Sequence, residues 1–277
     1  MTGILKSASA LHKGGLSFDK MHSLGNDFVI LEGGQDLKAD FVRCIADRRL
    51  GVGCDQVMLV SPSSDAGVHA FVRIYNADGS EVEACGNGTR CVVWKLAAQY
   101  GQPDIMVETK AGRLKARVMA DNVVEVQQGQ PKLLSPDPLD LSDAGFQKGY
   151  AVSMGNPHLV IPVSGWDPKV FHEAGRRLEK HPFFPNKTNV AFVTTIGDIK
   201  LWMWERGTGP TPACASGTSA AIFALMNAGT ILDGTCPVHL DHGLMWVTWR
   251  SGQPISHRAT ASFVASGTLC DKAIASA

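Results

Sequence analysis

The sequence predicts an α+β fold built from two pseudo-symmetric halves, and three observations carry that reading. The pattern A-C-x-x-G-T occurs twice, at Ala84–Thr89 and at Ala213–Thr218, with its cysteines 129 positions apart. Other segments repeat in the same order at offsets between 128 and 131: Gly25-Asn26 with Gly155-Asn156, Arg48-Arg49-Leu50 with Arg176-Arg177-Leu178, Val107 with Val238, and Gly112 with Gly243. Strands are also expected to flank the helices instead of alternating strictly with them, which favours α+β over a doubly wound parallel sheet.

In the first half, strands are expected at Leu16–Lys20 and Phe28–Leu31 around a polar turn at His22–Asn26. Phe41, Val42, Ile45 and Ala46 have helical spacing, so a helix is expected over Ala39–Leu50, stopped by Gly51-Val52-Gly53. Gln56–Val60 and His69–Tyr75 read as strands about the turn Pro62–Asp65. Gly88–Tyr100 reads as a helix closed by Gly101, followed by strands at Asp104–Thr109, Arg113–Met119 and Val123–Gln127.

The stretch Gln130–Lys148, with Pro131, Pro136 and Pro138, has no clear period and reads as the connection between halves. The second half replays the order, with strands at Val152–Met154 and Leu159–Val163 and a helix at Pro168–Lys180. Strands at Asn189–Thr194 and Lys200–Trp204 follow, then a helix at Gly217–Ala228 closed by Gly229. Strands at Val238–Leu240, Met245–Trp249 and Thr260–Val264 complete it. The expected division is residues 16–128, joined by a last strand at 264–277, and residues 129–263.

Composition bounds the partners. An apolar fraction of 44% and a charged fraction of 19% suit a globular chain with an ample core. The 26 basic and 26 acidic residues balance, which argues against a nucleic-acid partner. No apolar run reaches the roughly 18 residues a membrane helix needs. The first fifteen residues, with Lys6 and Lys13 and no sustained apolar stretch, read as a loose extension and not a secretory signal. Seven cysteines without a C-x-x-C pair point to a reducing cytoplasm, with neither a disulfide framework nor a metal site expected. Cys44, Cys54, Cys91, Cys236 and Cys270 read as small buried hydrophobes.

Cys85 and Cys214 read differently because of their repeated context. Each stands at the end of a glycine-containing loop just before a helix. Unpaired N–H groups and the positive end of the helix dipole there favour a thiolate, and can also hold a carboxylate. Two thiols on opposite faces of one carbon are what a racemase or epimerase needs, one to remove the α-proton and one to deliver it, with no pyridoxal or other cofactor.

The motifs Lys20-Met21-His22-Ser23-Leu24-Gly25-Asn26-Asp27-Phe28, Asn76-Ala77-Asp78-Gly79-Ser80-Glu81, Cys85–Cys91, Met154–His158 and Glu205-Arg206-Gly207 resemble the diaminopimelate epimerase family. The resemblance runs from about Leu16 to Thr268. It implies two halves, each a mostly antiparallel sheet wrapped around a central helix, with the active site in the cleft between them, and a homodimer. It also implies Cys85 and Cys214 as the acid/base pair acting on a small amino-acid substrate. Asn26, Gln56, Asn76, Gly86, Asn87, Asn156, Asn189, Glu205, Arg206, Ala215 and Ser216 would contact that substrate, and His158 and Glu205 would tune the thiols. The chain departs from the family at Ala215, where glycine is usual, at Pro210 and Pro212, and at its C-terminal strand. Two alternatives stay open: a two-thiol racemase of proline or hydroxyproline, and a non-catalytic ligand- or metal-binding protein.

Overall fold

The computed structural model describes residues 15–269. All but the last residue of the extension read at 1–15, the end of the last strand beyond 269, and Cys270 lie outside the described residues. Packing divides the chain into two compact units. Among the described residues, one holds 15–23, Asp27–Arg113 and 261–269; the other holds Leu24–Asn26 and Leu114–Thr260. The division falls at 113/114 and 260/261, where the sequence placed it at 128/129 and 263/264.

The first unit contains β1 (Leu16–Ser23), β2 (Asn26–Glu32), α1 (Ala39–Ala46), β3 (Gln56–Ser61), β4 (Ala70–Asn76), β5 (Glu81–Val82), α2 (Gly86–Tyr100) and β6 (Asp104–Thr109). β2 pairs β3 in parallel, β3 pairs β4 antiparallel, and β5 and β6 both pair β4, the latter in parallel. β2 is buried on both faces, so it reads as a near-continuous apolar run. Val29 and Leu31 pack with Phe41, Val42 and Ile45 of α1. Phe28 approaches Gly88 of α2 from the other face. α1 stops at Ala46, short of the expected Leu50, because the Asp47 carboxylate captures the backbone N–H groups of Arg49 and Leu50 at 2.7 and 2.8 Å.

The chain passes along β7 (Gly112–Val118) into the second unit, with β8 (Val123–Gly129), β9 (Lys132–Leu133), β10 (Leu139–Asp140), β11 (Lys148–Ser153), β12 (Pro157–Val163), α3 (Pro168–Leu178), β13 (Asn189–Thr194), β14 (Leu201–Glu205), β15 (Gly209–Thr211), α4 (Ala215–Asn227), β16 (Gly234–Leu240), β17 (Gly243–Trp249) and β18 (Ile255–Thr260). The connection read as irregular thus carries two short strands. β12 pairs β13 in parallel, β13 pairs β14 antiparallel, and β14 pairs β15 antiparallel. That repeats the β2–β3–β4–β5 pattern strand for strand. β16, β17, β18 and β8 form a second antiparallel set. α4 is buried along nearly its whole length, as a helix apolar all round must be. It packs on β11, β12, β13, β17 and β18.

The single strand expected at Thr260–Val264 is two strands. β18 pairs β8 in the second unit, and β19 (Ser262–Leu269) pairs β1 antiparallel from Leu16↔Leu269 to His22↔Ser262. The architecture is two α+β units of mostly antiparallel sheet. Among the described residues, no helix is long and apolar enough to cross a membrane, and no group of His, Cys, Asp and Glu side chains could hold a metal ion.

Candidate active site

The repeated pattern builds the same frame twice. Cys85 is the N-cap of α2 and Cys214 the N-cap of α4, both in extended backbone (φ −148° and −133°). Each sulfur accepts the N–H of the residue three further on, Gly88 and Gly217, at 3.4 Å. Ser, Thr, Asp or Asn normally holds this position, so cysteine here trades capping strength for a thiol.

The other letters of the pattern have mechanical reasons. Thr89 and Thr218 donate their hydroxyls to the Cys85 and Cys214 carbonyls at 2.9 and 2.8 Å. A Cβ at Gly88 would lie 2.7 Å from the Met58 methyl carbon, and one at Gly217 would lie 2.4 Å from that of Met203. A side chain at either position would therefore displace the end of a buried methionine.

Gly86 and Ala215 are the first residues of their helices, and Asn87 and Ser216 the second. Their N–H groups belong to the first turn, which has no intrahelical carbonyl to meet. Ala215 has no positive φ, so the methyl that replaces glycine strains nothing in the backbone; it is buried at 3% exposure. Pro210 sits in the edge strand β15 opposite Trp204, where a missing donor is tolerated.

In the first unit the amide candidates lie at strand ends. Gln56 and Asn76 are register partners on β3 and β4, and Gln56 Nε2 donates to Asn76 Oδ1 at 2.9 Å. Asn76 in turn donates to Ser80 Oγ at 3.2 Å. Asp27 follows Asn26 as Asp55 precedes Gln56, and these two aspartates brace the starts of β2 and β3. The Asp55 N–H donates to Asp27 Oδ1 at 2.9 Å, and Arg48 reaches both carboxylates at 2.7 Å. Burial pushes the Asp27 carboxyl up, but hydrogen bonds from Arg48 and Lys20 outweigh it and hold the group at about 2.

In the second unit the candidates are linked more tightly. Asn189, the register partner of His158, donates to the Pro157 carbonyl at 2.9 Å and accepts the Arg206 N–H at 3.0 Å. Thr211 donates to Glu205 Oε1 at 2.6 Å. His158 is fully buried. Burial, then the positive charge of Arg206, holds its imidazole down at about 3, so the ring is neutral. Its Nε2–H faces Asn156 Oδ1 at 3.0 Å, which leaves Nδ1 as a buried lone pair with no hydrogen-bond partner among the described residues.

Sequence reasoning missed three supporting residues. Glu179, just after α3, accepts Trp204 Nε1–H at 3.0 Å and the Gly207 N–H at 2.9 Å, and so clamps the turn that carries Glu205 and Arg206. Burial pushes this carboxyl up, but those bonds and Lys187 hold it below the ordinary carboxylate value. Thr211 was hidden between two prolines. Arg90, inside the cysteine motif itself, is fully buried and donates Nε–H to Ser23 Oγ at 2.9 Å and a terminal N–H to Asn87 Oδ1. Of the remaining cysteines, Cys54 and Cys91 are buried, but Cys44 and Cys236 are only half-buried, contrary to expectation. Burial first of all pushes Cys54 up to about 12 and Cys91 further still.

A sequence model described as diaminopimelate epimerase matches residues 18–134 and 150–264. The chain is 38% identical over 276 residues to the diaminopimelate epimerase of Thioalkalivibrio sulfidiphilus, covering 92% of this chain and 99% of that one. It is 41% identical over 257 residues to that of Phenylobacterium zucineum, covering 86% and 91%. Among solved structures, a hydroxyproline epimerase from Agrobacterium vitis with bound trans-4-hydroxy-L-proline shares the fold at a TM-score of 0.71 and 15% identity, covering 93% of both chains. A Bacillus anthracis phenazine biosynthesis protein of the PhzF family does so at 0.71 and 16%, covering 92% of this chain and 98% of that one.

Proposed function

The chain belongs to the diaminopimelate epimerase family, and we propose that its epimerisation of LL- to meso-2,6-diaminopimelate runs through Cys85 and Cys214 as two opposed bases without a cofactor. The observation that carries the reading is the duplicated frame, with a thiol at each of two equivalent helix N-caps and its sulfur 3.4 Å from the same backbone donor in both copies.

One thiolate takes the α-proton, so an S–H bond forms as the C–H bond breaks. The electron pair moves into the adjacent carboxylate, where first-turn N–H groups of Gly86, Asn87, Ala215 and Ser216 stabilise the growing charge. The opposite thiol then gives up its proton to the other face of the carbon, and the two sulfurs have exchanged protonation states. Nothing else is consumed. The distal amino-acid end is bound by groups of matching charge and polarity: Arg206 for its carboxylate, Glu205 for an ammonium, and the amides of Asn26, Gln56, Asn76, Asn156 and Asn189. Neutral His158 contributes an acceptor, not a charge, to the Cys214 half.

The reaction belongs to lysine and peptidoglycan precursor synthesis in the cytoplasm, and the working form is a homodimer. Exposed Phe263 (48%) and Val264 (56%) on the edge strand β19 support association. The reduced protein, given LL-diaminopimelate in deuterated water with no cofactor, is expected to incorporate deuterium at the α-carbon and form the meso isomer. Exchange with L-proline and not with diaminopimelate would overturn the substrate assignment.

A further inference from the structure

β1 runs into β2 through Leu24-Gly25-Asn26, and these three residues pack with the second unit although β1 and β2 otherwise belong to the first. The first of them is a backbone outlier. Leu24 is left-handed (φ 53°), a conformation a leucine takes only where its surroundings impose it. Its side chain is buried at 4% exposure, in the hydrophobic cluster that holds Met154, Leu240 and Met245. Its tip lies over the β16–β17 hairpin, where a Cβ at Gly243 would be 3.2 Å from Leu24 Cδ2. The same hairpin covers the next residue, since a Cβ at Gly25 would be 2.2 Å from His242 Cδ2. His242 belongs to the two-residue turn closed by the Leu240–Gly243 register pair.

The internal repeat supplies a control. Met154-Gly155-Asn156 is the second copy of Leu24-Gly25-Asn26, 130 positions on, and Met154 is buried in the same cluster as Leu24. Met154 has no positive φ, and nothing lies within 4 Å of a Cβ at Gly155. The second copy thus sits in its own unit unstrained and uncovered, while the first is strained and held by a hairpin. Glycine at position 24 would relieve that strain at once. Leucine instead supplies a side chain that reaches the core.

We propose that Leu24 and His242 are positioning residues for Asn26: they pin its turn to the second unit, so that Asn26 and Asn156 meet the substrate from one packed frame. The proposal rests on the reading of Asn26 as a substrate contact. A strained turn persists only where its surroundings over-determine it, and here the Leu24 anchor and the His242 ring do so from adjacent residues. Together they fix the backbone from which the Asn26 side chain leaves. Placement of this kind matters because a small displacement of a contacting group lowers turnover steeply.

The test is a double-mutant cycle on kcat/KM for LL-diaminopimelate, with Leu24→Ala and His242→Ala each made alone and together with Asn26→Ala. Leu24→Ala is expected to lower kcat/KM about tenfold, mostly through KM. His242→Ala, at an exposed turn, should lower it severalfold. Neither should lower it further once Asn26 is alanine, because the group they place is gone. Leu24→Met, which refills the cluster, should keep most of the wild-type value. A merely structural role would lower kcat/KM by the same factor in both backgrounds, and that result overturns the proposal. Wild-type kcat/KM in His242→Ala also overturns it, whether or not Leu24→Ala folds. Wild-type kcat/KM in Asn26→Ala is a different failure: it removes Asn26 from the substrate contacts, and the proposal with it.

Discussion

The turn after β4 and the turn after β14 occupy equivalent places, each leading from a strand end toward an N-cap cysteine, and they are held by very different means. The first is braced at the surface, where exposed Arg43 donates to the Asp78 carbonyl at 2.9 Å. The second is clamped from inside by Glu179, Asn189 and Thr211. The cysteine frame is thus duplicated, while its support has diverged.

Acid should separate the units most strongly. His158 is depressed to about 3 from 6.5, so the unfolded chain binds the extra proton first and this group costs stability as pH falls from about 6.5 toward about 3. Asp27 is depressed to about 2 from 3.8, so its contribution is intact above about 3.8 and is lost only as pH falls through the range below. Hydrogen exchange followed by mass spectrometry should show β12 peptides losing protection at higher pH than β2 peptides. The same order in His158→Gln as in the wild type would remove the imidazole as the cause.

Replacing Glu179 with alanine leaves the buried Trp204 donor unpaired and releases the exposed Gly207 N–H to water, and should cost about 2 kcal/mol in urea unfolding, with a raised KM for diaminopimelate. Arg43→Ala, the surface counterpart, should cost well under 1 kcal/mol. Similar losses for the two would contradict the contrast between the turns.

The repeated glycines give a smaller contrast. Gly25 and Gly155 both have positive φ (83° and 98°), but a Cβ at Gly25 would lie 2.2 Å from the His242 ring, while at Gly155 nothing lies within 4 Å. Gly155→Ala should therefore cost only backbone strain, about 1 kcal/mol, and Gly25→Ala about 2 kcal/mol, read as midpoint shifts in denaturation. Thr211→Val, which removes one hydrogen bond to Glu205, should cost about 1 kcal/mol or less and act mainly on KM.

What the sequence revealed of this follows from where the information lies. The cysteine frames were legible because their reasons are local: a cap, two first-turn N–H groups, a small glycine and a threonine one turn on. Most strands were legible because their apolar runs are bounded by turns. The early end of α1 was not, since Asp47 falls within the helical spacing and ends the helix through its side-chain bonds to Arg49 and Leu50. The final strand read as one because Ala261 carries no turn signal, and only pairing with β8 and then β1 divides it. Arg90 and Glu179 were illegible as buried charges because burial of a long charged side chain is set by distant chain, Ser23 for one and the β14 turn for the other.

The most direct test of the two-base account is epimerisation of LL-diaminopimelate by Cys85→Ser and by Cys214→Ser, each checked for folding and assayed under reducing conditions. The account predicts that either change alone lowers the rate of meso formation by about 10²-fold or more. Wild-type rate in either variant would contradict it.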